Sequence, residues 1–213
     1  MSQKDEERQQ TLPACQNSEK ALWLMVENAV LDPKVLSKKT QADSIETCRF
    51  KCNLITNAGR NCPAFTYNDV DQQCTLYTND SPIVQNLLYK RSISTDFSTR
   101  TATKFCYPGN IEVFKNCTEI IAFHDFTLNV VPREEFDGMP KGKEGLHACI
   151  ELCILSPYYF CKSATFLSNK GLCRLNEENS LSSPENFLEV TGQEQIYFEN
   201  TCSQYHIGQS GKE

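Results

Sequence analysis

The chain has 213 residues, 12 of them cysteine, and a formal net charge of −6 at pH 7. Twelve cysteines in an even, repeated spacing indicate a disulfide framework from an oxidising compartment. Structural zinc is disfavoured because the three histidines are not at zinc-finger spacing and the sequence has no paired CxxC. The acidic balance argues against a general nucleic-acid or heparin binder.

The N-terminal residues, 1–14, are predicted to form a flexible tail. They contain no apolar stretch of the kind a signal peptide has, although the cysteines predict a secreted or extracellular protein. We therefore expect the chain to be a mature portion or a fragment. Its longest apolar run, ALWLMV at 21–26, is too short to span a bilayer, so we expect no membrane insertion by this segment.

A first module is predicted over residues 15–106. Its opening stretch, KALWLMVENAVL, is apolar and partly β-branched, which favours one or two strands. We expect Trp23 in this stretch to lie in the core rather than to serve as a ligand platform. The polar residues 34–42 are predicted to be a connection into a helix.

The helix carries two cysteines on one face. Asp43 or Ser44 can cap its N-terminus, with Glu46 at the capping-box position. Cys48 and Cys52 are four residues apart, so their Cβ atoms are roughly 5–6 Å apart on the helix, whereas a disulfide prefers about 3.8 Å. The two cysteines are therefore not expected to bridge each other, and each should reach a separate strand.

Two short strands, CPAFTY and CTLY, are predicted to form a hairpin after the helix, and a last strand, TATKFC, ends the module. Six cysteines allow fifteen connectivities, and sequence alone does not choose among them. Cys52 is at the end of the helix nearest the hairpin, which favours a short bridge from Cys52 to Cys62. Cys48 is then left to pair with Cys74, and Cys15 with Cys106.

The same pattern occurs again over residues 117–202. The two helix cysteines are four residues apart in both copies, and the two hairpin cysteines are twelve apart in both. This repetition predicts a tandem duplication, in which Gly145 lies near the start of the second helix and leaves its cap undefined. The second copy contributes six cysteines: Cys117, Cys149, Cys153, Cys161, Cys173 and Cys202. Residues 203–213 are predicted to form a flexible tail.

The linker, 107–116, is short enough to hold the modules close. Pro108 and Gly109 predict a turn, and three apolar residues are expected to be buried between the modules: Ile111, Val113 and Phe114. The first module has 11 Lys and Arg against 9 Asp and Glu, and the second has 6 against 13. Such a difference in charge is compatible with head-to-tail stacking of neighbouring copies, which would be sensitive to salt.

A CxxxC helix followed by C-x-A-F-x-Y and C-x-L-Y resembles the PAN/apple domain, over 15–106 and 117–202. The resemblance implies an α+β fold in which a curved antiparallel sheet cradles one helix, twice. It also implies pairing of first with sixth, second with fifth and third with fourth cysteine. For the second copy these bridges are Cys117–Cys202, Cys149–Cys173 and Cys153–Cys161.

The second copy departs from the motif at two positions. Ala164 stands where the first copy has Phe65, and Asn176 stands where it has Tyr77. We therefore expect the core packing of the second module to differ. A ligand surface built on those positions would be altered as well.

The resemblance implies a non-enzymatic extracellular module that contacts a protein or matrix partner. The tandem form is similar to segments of invertebrate extracellular matrix, cuticle and zona-pellucida-type proteins. The alternative is a carbohydrate-binding lectin, for which exposed aromatic residues are candidates: Tyr158, Tyr159 and Tyr205. Packing in the core or between the modules is the favoured interpretation of these tyrosines. The oligomeric state is left open.

No catalytic, metal-binding or cofactor-binding motif is found in the sequence. His124 and Asp125 are adjacent, but neighbours in a strand point to opposite faces, so we expect them to be poorly placed as a dyad. His147 is expected at the surface. Two sequons predict candidate glycosylation sites at Asn79 and Asn116, although Pro82 follows the first and a cysteine occupies the middle of the second.

Overall fold

The computed structural model describes residues 15, 18–31, 37–57, 61–78, 89–91, 98–192 and 194–202. Within these ranges the first module contains β1 (Glu19–Glu27), β2 (Ala29–Leu31), β3 (Ser37–Gln41), α1 (Ile45–Asn57), β4 (Ala64–Asn68), β5 (Gln73–Tyr77), β6 (Tyr89–Arg91) and β7 (Thr99–Pro108). The linker forms a short helix, α2 (Glu112–Asn116). The second module contains β8 (Glu119–His124), β9 (Phe126–Leu128), β10 (Glu134–Phe136), α3 (Lys143–Ile154), β11 (Ser163–Leu167), β12 (Leu172–Asn176), a 3-10 turn (Pro184–Asn186), β13 (Phe187–Glu189) and β14 (Gln195–Glu199).

The two modules share one sheet of ten strands, in the order β10-β12-β11-β14-β8-β1-β7-β4-β5-β3. Every pairing inside a module is antiparallel. The two first strands, β1 and β8, pair in parallel, from Trp23 opposite Glu119 to Glu27 opposite Phe123. We call this β1·β8 pairing the seam.

The strand β1 is buried on both faces. Side chains alternate between the faces of a strand, and Trp23 and Met25 pack in a core with the α1 cysteines. The alternate residues of β1, which are Leu22, Leu24 and Val26, pack in a second core together with residues of α3. The helices α1 and α3 therefore cover opposite faces of the shared sheet, and a strand covered on both sides needs a continuous apolar sequence.

The predicted α+β architecture of two disulfide-rich modules is confirmed. The predicted strands at the start of each module, the two hairpins and the last strands are all present. Trp23 is buried, and its ring centroid lies 5.2 Å from that of Phe65. In the linker Phe114 is buried in the core that the two modules share, and Ile111 and Val113 pack against it.

Residues 34–42, predicted to be a polar connection, contain the strand β3, and the equivalent stretch of the second module contains β10. The sheet ends on one side with β3, which pairs with β5, and on the other with β10, which pairs with β12. Both are edge strands, and β3 is exposed along most of its length. A strand of this kind has no apolar alternation, so its sequence, SKKTQ, gave no signal of it.

The helix starts differ between the modules. In α1 the Ser44 hydroxyl accepts a hydrogen bond from the Thr47 backbone N–H at 3.1 Å, so Ser44 is the N-cap and Thr47 is the residue it caps. In α3 the N-cap is Gly142, at φ 70°, without a side-chain cap. Gly145 lies in the first turn of α3, where a Cβ atom would be 1.8 Å from the Pro140 carbonyl oxygen.

The structure joins all twelve cysteines in six bridges, with Cα–Cα distances between 4.9 and 5.6 Å. In each module one bridge ties the helix to the second hairpin strand, a second ties it to the start of the hairpin, and a third joins the module's ends. The pairs are Cys48–Cys74, Cys52–Cys62 and Cys15–Cys106 in the first module, and Cys149–Cys173, Cys153–Cys161 and Cys117–Cys202 in the second.

Gly145→Ala is expected to lower the free energy of unfolding by about 2 kcal/mol or more, since an added methyl group meets both the Pro140 carbonyl and the Phe166 ring. Gly138→Ala is the control. Gly138 has a positive φ, which Gly145 does not, and nothing lies within 4 Å of its added Cβ, so the backbone strain alone should cost about 1 kcal/mol. Denaturant unfolding with the disulfides intact measures both, and equal costs would contradict the packing described for α3.

Candidate functional site

Each module has a corner between its first two strands, occupied by an Asn or Asp with a positive φ. Asn28, between β1 and β2, has φ 50°, and Asp125, between β8 and β9, has φ 60°. Asn and Asp are the residues other than glycine that adopt this backbone conformation most readily. The two corners occupy equivalent places in the duplicated modules.

The parallel seam brings the two corners together beside a pocket of about 260 Å³. Because β1 and β8 run in the same direction, their C-terminal ends meet at the same edge of the seam. The pocket is lined by residues of both modules: Glu27, Asn28, Phe123, His124, Asp125, Phe126, Phe187 and Glu189. We call it the seam pocket.

Three phenylalanines form the aromatic part of the seam pocket. The ring centroids of Phe126 and Phe187 lie 4.9 Å apart in a stacked arrangement, and the ring of Phe123 meets both edge-on at 5.7 and 5.3 Å. Tyr197 supports them from β14, with its centroid 5.0 Å from that of Phe187. All three phenylalanines are half-buried, so part of each ring remains accessible.

The expectation that the side chains of His124 and Asp125 point to opposite faces was wrong. Their side chains do not diverge, because the positive φ at Asp125 interrupts the strand alternation, and His124 Nδ1 lies 3.3 Å from Asp125 Oδ2. The contact lacks hydrogen-bonding geometry. Among the residues that the structure describes, three buried polar atoms at the pocket have no hydrogen-bond partner: Asn28 Oδ1, His124 Nδ1 and Asp125 Oδ1.

Among the described residues that line the pocket, three carry carboxyl groups: Glu27, Asp125 and Glu189. Glu27 pairs with Arg100 at 3.6 Å, and Arg100 also pairs with Asp69 at 2.8 Å. Burial raises the pKa of the Glu27 carboxyl, against the opposing effect of Arg100. Burial lowers the pKa of His124, which keeps the imidazole neutral near pH 7, although the Asp125 and Glu194 carboxylates oppose that shift.

The tyrosines proposed as ligand contacts lie elsewhere. Tyr158 is 87% exposed, which contradicts the interpretation that it packs in the core or between the modules. Tyr159 is half-buried, and its hydroxyl donates a hydrogen bond to Glu134 Oε2 at 3.2 Å while the Arg133 guanidinium lies over its ring at 5.7 Å. Tyr205 lies outside the described residues. Neither described tyrosine lines the seam pocket.

His147 is a contact between the modules rather than a surface residue. Its ring stacks on that of Tyr107 with 4.3 Å between centroids, and its Nε2 lies 2.9 Å from the Cys106 carbonyl oxygen. The Tyr107 hydroxyl in turn donates to the His147 carbonyl at 2.9 Å, and the Tyr107 ring also stacks on Phe114 of the linker. These contacts fix α3 against the last strand of the first module.

The remaining candidate sites are the two glycosylation sequons, at Asn79 and Asn116. Asn79 lies outside the described residues. Asn116 ends α2 and is followed by the bridged, buried Cys117 and the exposed Thr118, and its glycosylation stays a prediction. No group of three or more metal-ligating side chains occurs among the described residues. In the same part of the chain, no helix has the length and apolar character to cross a bilayer.

Comparison with known protein families matches residues 24–106 and 133–202 to the PAN domain. The two matched stretches cover more than two thirds of the chain, which therefore belongs to the PAN domain family. Among solved structures, the chain is similar to the two N-terminal apple domains of Toxoplasma gondii microneme protein 4, with 13% identity and a TM-score of 0.29, over 84% of this chain and 89% of that one. No curated protein matches the chain.

The depressed pKa of His124 predicts an acid-sensitive contribution to stability. The unfolded chain takes up a proton at this residue near the ordinary value of 6.5, whereas the folded chain does so only at lower pH. The free energy of unfolding should therefore decrease as the pH falls through that range, and His124→Gln should remove this component. Denaturant unfolding of both proteins at about pH 8 and about pH 5.5 measures it. The wild type's free energy of unfolding minus that of the variant should be smaller at the lower pH. A difference that stays constant or grows would contradict the assigned burial of His124.

Proposed function

We propose that this chain is a non-enzymatic extracellular interaction module that binds a protein partner at the seam pocket. Membership of the PAN domain family supports an interaction role, and the six bridges are typical of proteins from oxidising compartments. The observation that carries the proposal is the pocket itself, which exists only where residues of both modules meet. The narrower expectation of an invertebrate matrix or zona-pellucida-type origin has no support from the comparisons.

Carbohydrate binding is the second candidate function, and the exposure of Tyr158 favours it. A ring that is 87% exposed on a bridged module can stack against a sugar face. It lies between α3 and β11, apart from the seam pocket. The two candidate functions therefore use different surfaces, and single substitutions separate them.

Assembly into a matrix is the third candidate, and the opposite edges of the sheet favour it. The edge strand β3 carries Lys38 and Lys39, whereas β10 at the other edge carries Glu134 and Glu135. Edges of opposite charge can meet between copies in a head-to-tail arrangement, which extends as an open assembly unless the rotation between copies closes a ring. Such contacts weaken as salt is added.

The test uses the whole chain immobilised with its disulfides intact, and compares Phe187→Ala with Leu188→Ala. Phe187 forms part of the pocket wall, while its neighbour Leu188 is exposed and does not line the pocket. Phe187→Ala should abolish capture of partner proteins from extracellular extract, and Leu188→Ala should leave it unchanged. Circular dichroism and retained bridges establish that both variants fold.

Equal capture by both variants would contradict a role for the seam pocket. A glycan array run in parallel addresses the second candidate: saturable binding to one sugar class, lost in Tyr158→Ala and kept in Phe187→Ala, would replace the protein-binding proposal. Sedimentation at low and high salt addresses the third. Reversible self-association that disappears at high salt would favour assembly.

A further inference from the structure

We propose that the partner at the seam pocket is a second copy of this chain, which inserts Phe50 of its helix α1. This inference rests on the proposed function and names the partner that the pocket receives. It is carried by four observations on the described residues: an exposed phenylalanine outside both cores, an apolar pocket of suitable size, the face of the sheet that both occupy, and the charges of the two modules.

Phe50 lies on the solvent side of α1. It is 60% exposed and is the only phenylalanine among the large hydrophobic residues that the described part of the chain exposes. The other side of the helix packs in the core through Cys48 and Cys52. Leu54, one turn after Phe50 on the same side of α1, is 49% exposed. The helix therefore presents two neighbouring apolar side chains outward.

The duplicated helix shows that the framework does not require a phenylalanine at this position. Phe50 follows Cys48 by two residues, and Glu151 follows Cys149 by two. The helix α3 thus carries a carboxylate where α1 carries a phenyl ring, and it makes the same two bridges to its hairpin. A phenyl ring gains free energy when it is removed from water, so Phe50 is suited to a contact outside its own module.

The seam pocket suits a phenyl ring. Its accessible wall is almost wholly apolar, and it includes the half-buried rings of Phe123, Phe126 and Phe187. Its volume is about 260 Å³, and a cavity of about 150 Å³ already binds benzene. A buried tyrosine hydroxyl needs a hydrogen-bond partner, which such a wall does not offer. Phe50 therefore matches the pocket better than the exposed Tyr158 does.

Phe50 and the pocket lie on the same face of the shared sheet. Trp23 of β1 packs with the cysteines of α1, which defines the α1 face. On β8, Ile120 and Ala122 are buried in the core that contains α3, so Phe123 points to the α1 face. Two copies that meet through this face about a twofold axis place Phe50 of each at the pocket of the other. Such an arrangement closes on itself as a dimer.

The charges of the modules favour this arrangement. The first module has 11 Lys and Arg against 9 Asp and Glu, whereas the second has 6 against 13. Phe50 belongs to the first module, and most of the pocket lining belongs to the second. The proposed dimer therefore sets the first module of each copy against the second module of the other. Opposite net charges steer this encounter and disfavour contacts between two acidic second modules.

The test is sedimentation velocity of the whole, disulfide-intact chain at concentrations from about 1 to about 500 μM. We expect a reversible equilibrium between monomer and dimer without larger species. Phe50→Ser and Phe187→Ala should each raise the Kd of the dimer about tenfold or more, because each removes the contact from both copies. Tyr158→Ser is the matched control, since it removes an aromatic side chain that is 87% exposed outside both surfaces, and it should leave the Kd unchanged.

A mixture of the two variants tests the contact itself. Phe50→Ser keeps the pocket and lacks the inserted ring, whereas Phe187→Ala keeps the ring and lacks part of the pocket wall. A mixed dimer contains one intact contact, and a dimer of either variant alone contains none. The mixed pair should therefore associate about threefold to tenfold more tightly than either variant with itself. Circular dichroism and retained bridges establish that both variants fold.

A chain that stays monomeric at about 500 μM would overturn the inference, as would a dimer with the same Kd in Phe50→Ser or a mixture no tighter than its components. Larger assemblies that Lys38→Glu abolishes and Phe50→Ser preserves would overturn it in favour of the edge strands. The inference fails separately from the proposed function: a monomeric chain that captures a different protein in a Phe187-dependent way keeps the interaction role and loses the second copy.

Discussion

The structure depends on one strand that belongs to two cores. Alternate residues of β1 pack with α1 on one face of the sheet and with the core of α3 on the other. Parallel pairing with β8 extends the sheet across both modules, and the Trp23 backbone N–H donates to the Thr118 carbonyl at 2.9 Å at the start of that pairing. The duplicated modules are therefore a single body, because neither can move without exposing one face of β1.

The modules are equivalent in framework but not in packing. Trp23 fills the first core against Phe65, whereas the second module has Ala164 in the place of Phe65 and contributes instead to the larger core that both modules share. Asn176, which replaces Tyr77, is buried and donates to the Ser163 hydroxyl at 3.3 Å. The expected difference in core packing is thus present. The core of the second module is completed by residues of the first module.

The sequence was sufficient to predict what depends on local chemistry, namely the apolar strands, a helix cap at Asp43 or Ser44, and two cysteines that could not pair along one helix face. It missed β3 and β10, because edge strands need no apolar alternation, and it missed the seam, because strand order is a long-range property. The two matching corners, E-N-A and H-D-F, were visible as polar interruptions of apolar runs. Only the parallel register shows that Asn28 and Asp125 meet at one pocket, and only the contacts with Tyr107 and Cys106 show that His147 lies between the modules.

The shared sheet is tested most directly by residual dipolar couplings measured on the backbone amides of the whole chain. If β1 and β8 pair as described, the couplings of both modules fit one alignment tensor, and couplings predicted from the intact ten-stranded sheet reproduce them. Two modules that require tensors of different orientation or magnitude would show that they move independently. That result would contradict the seam and remove the pocket built on it.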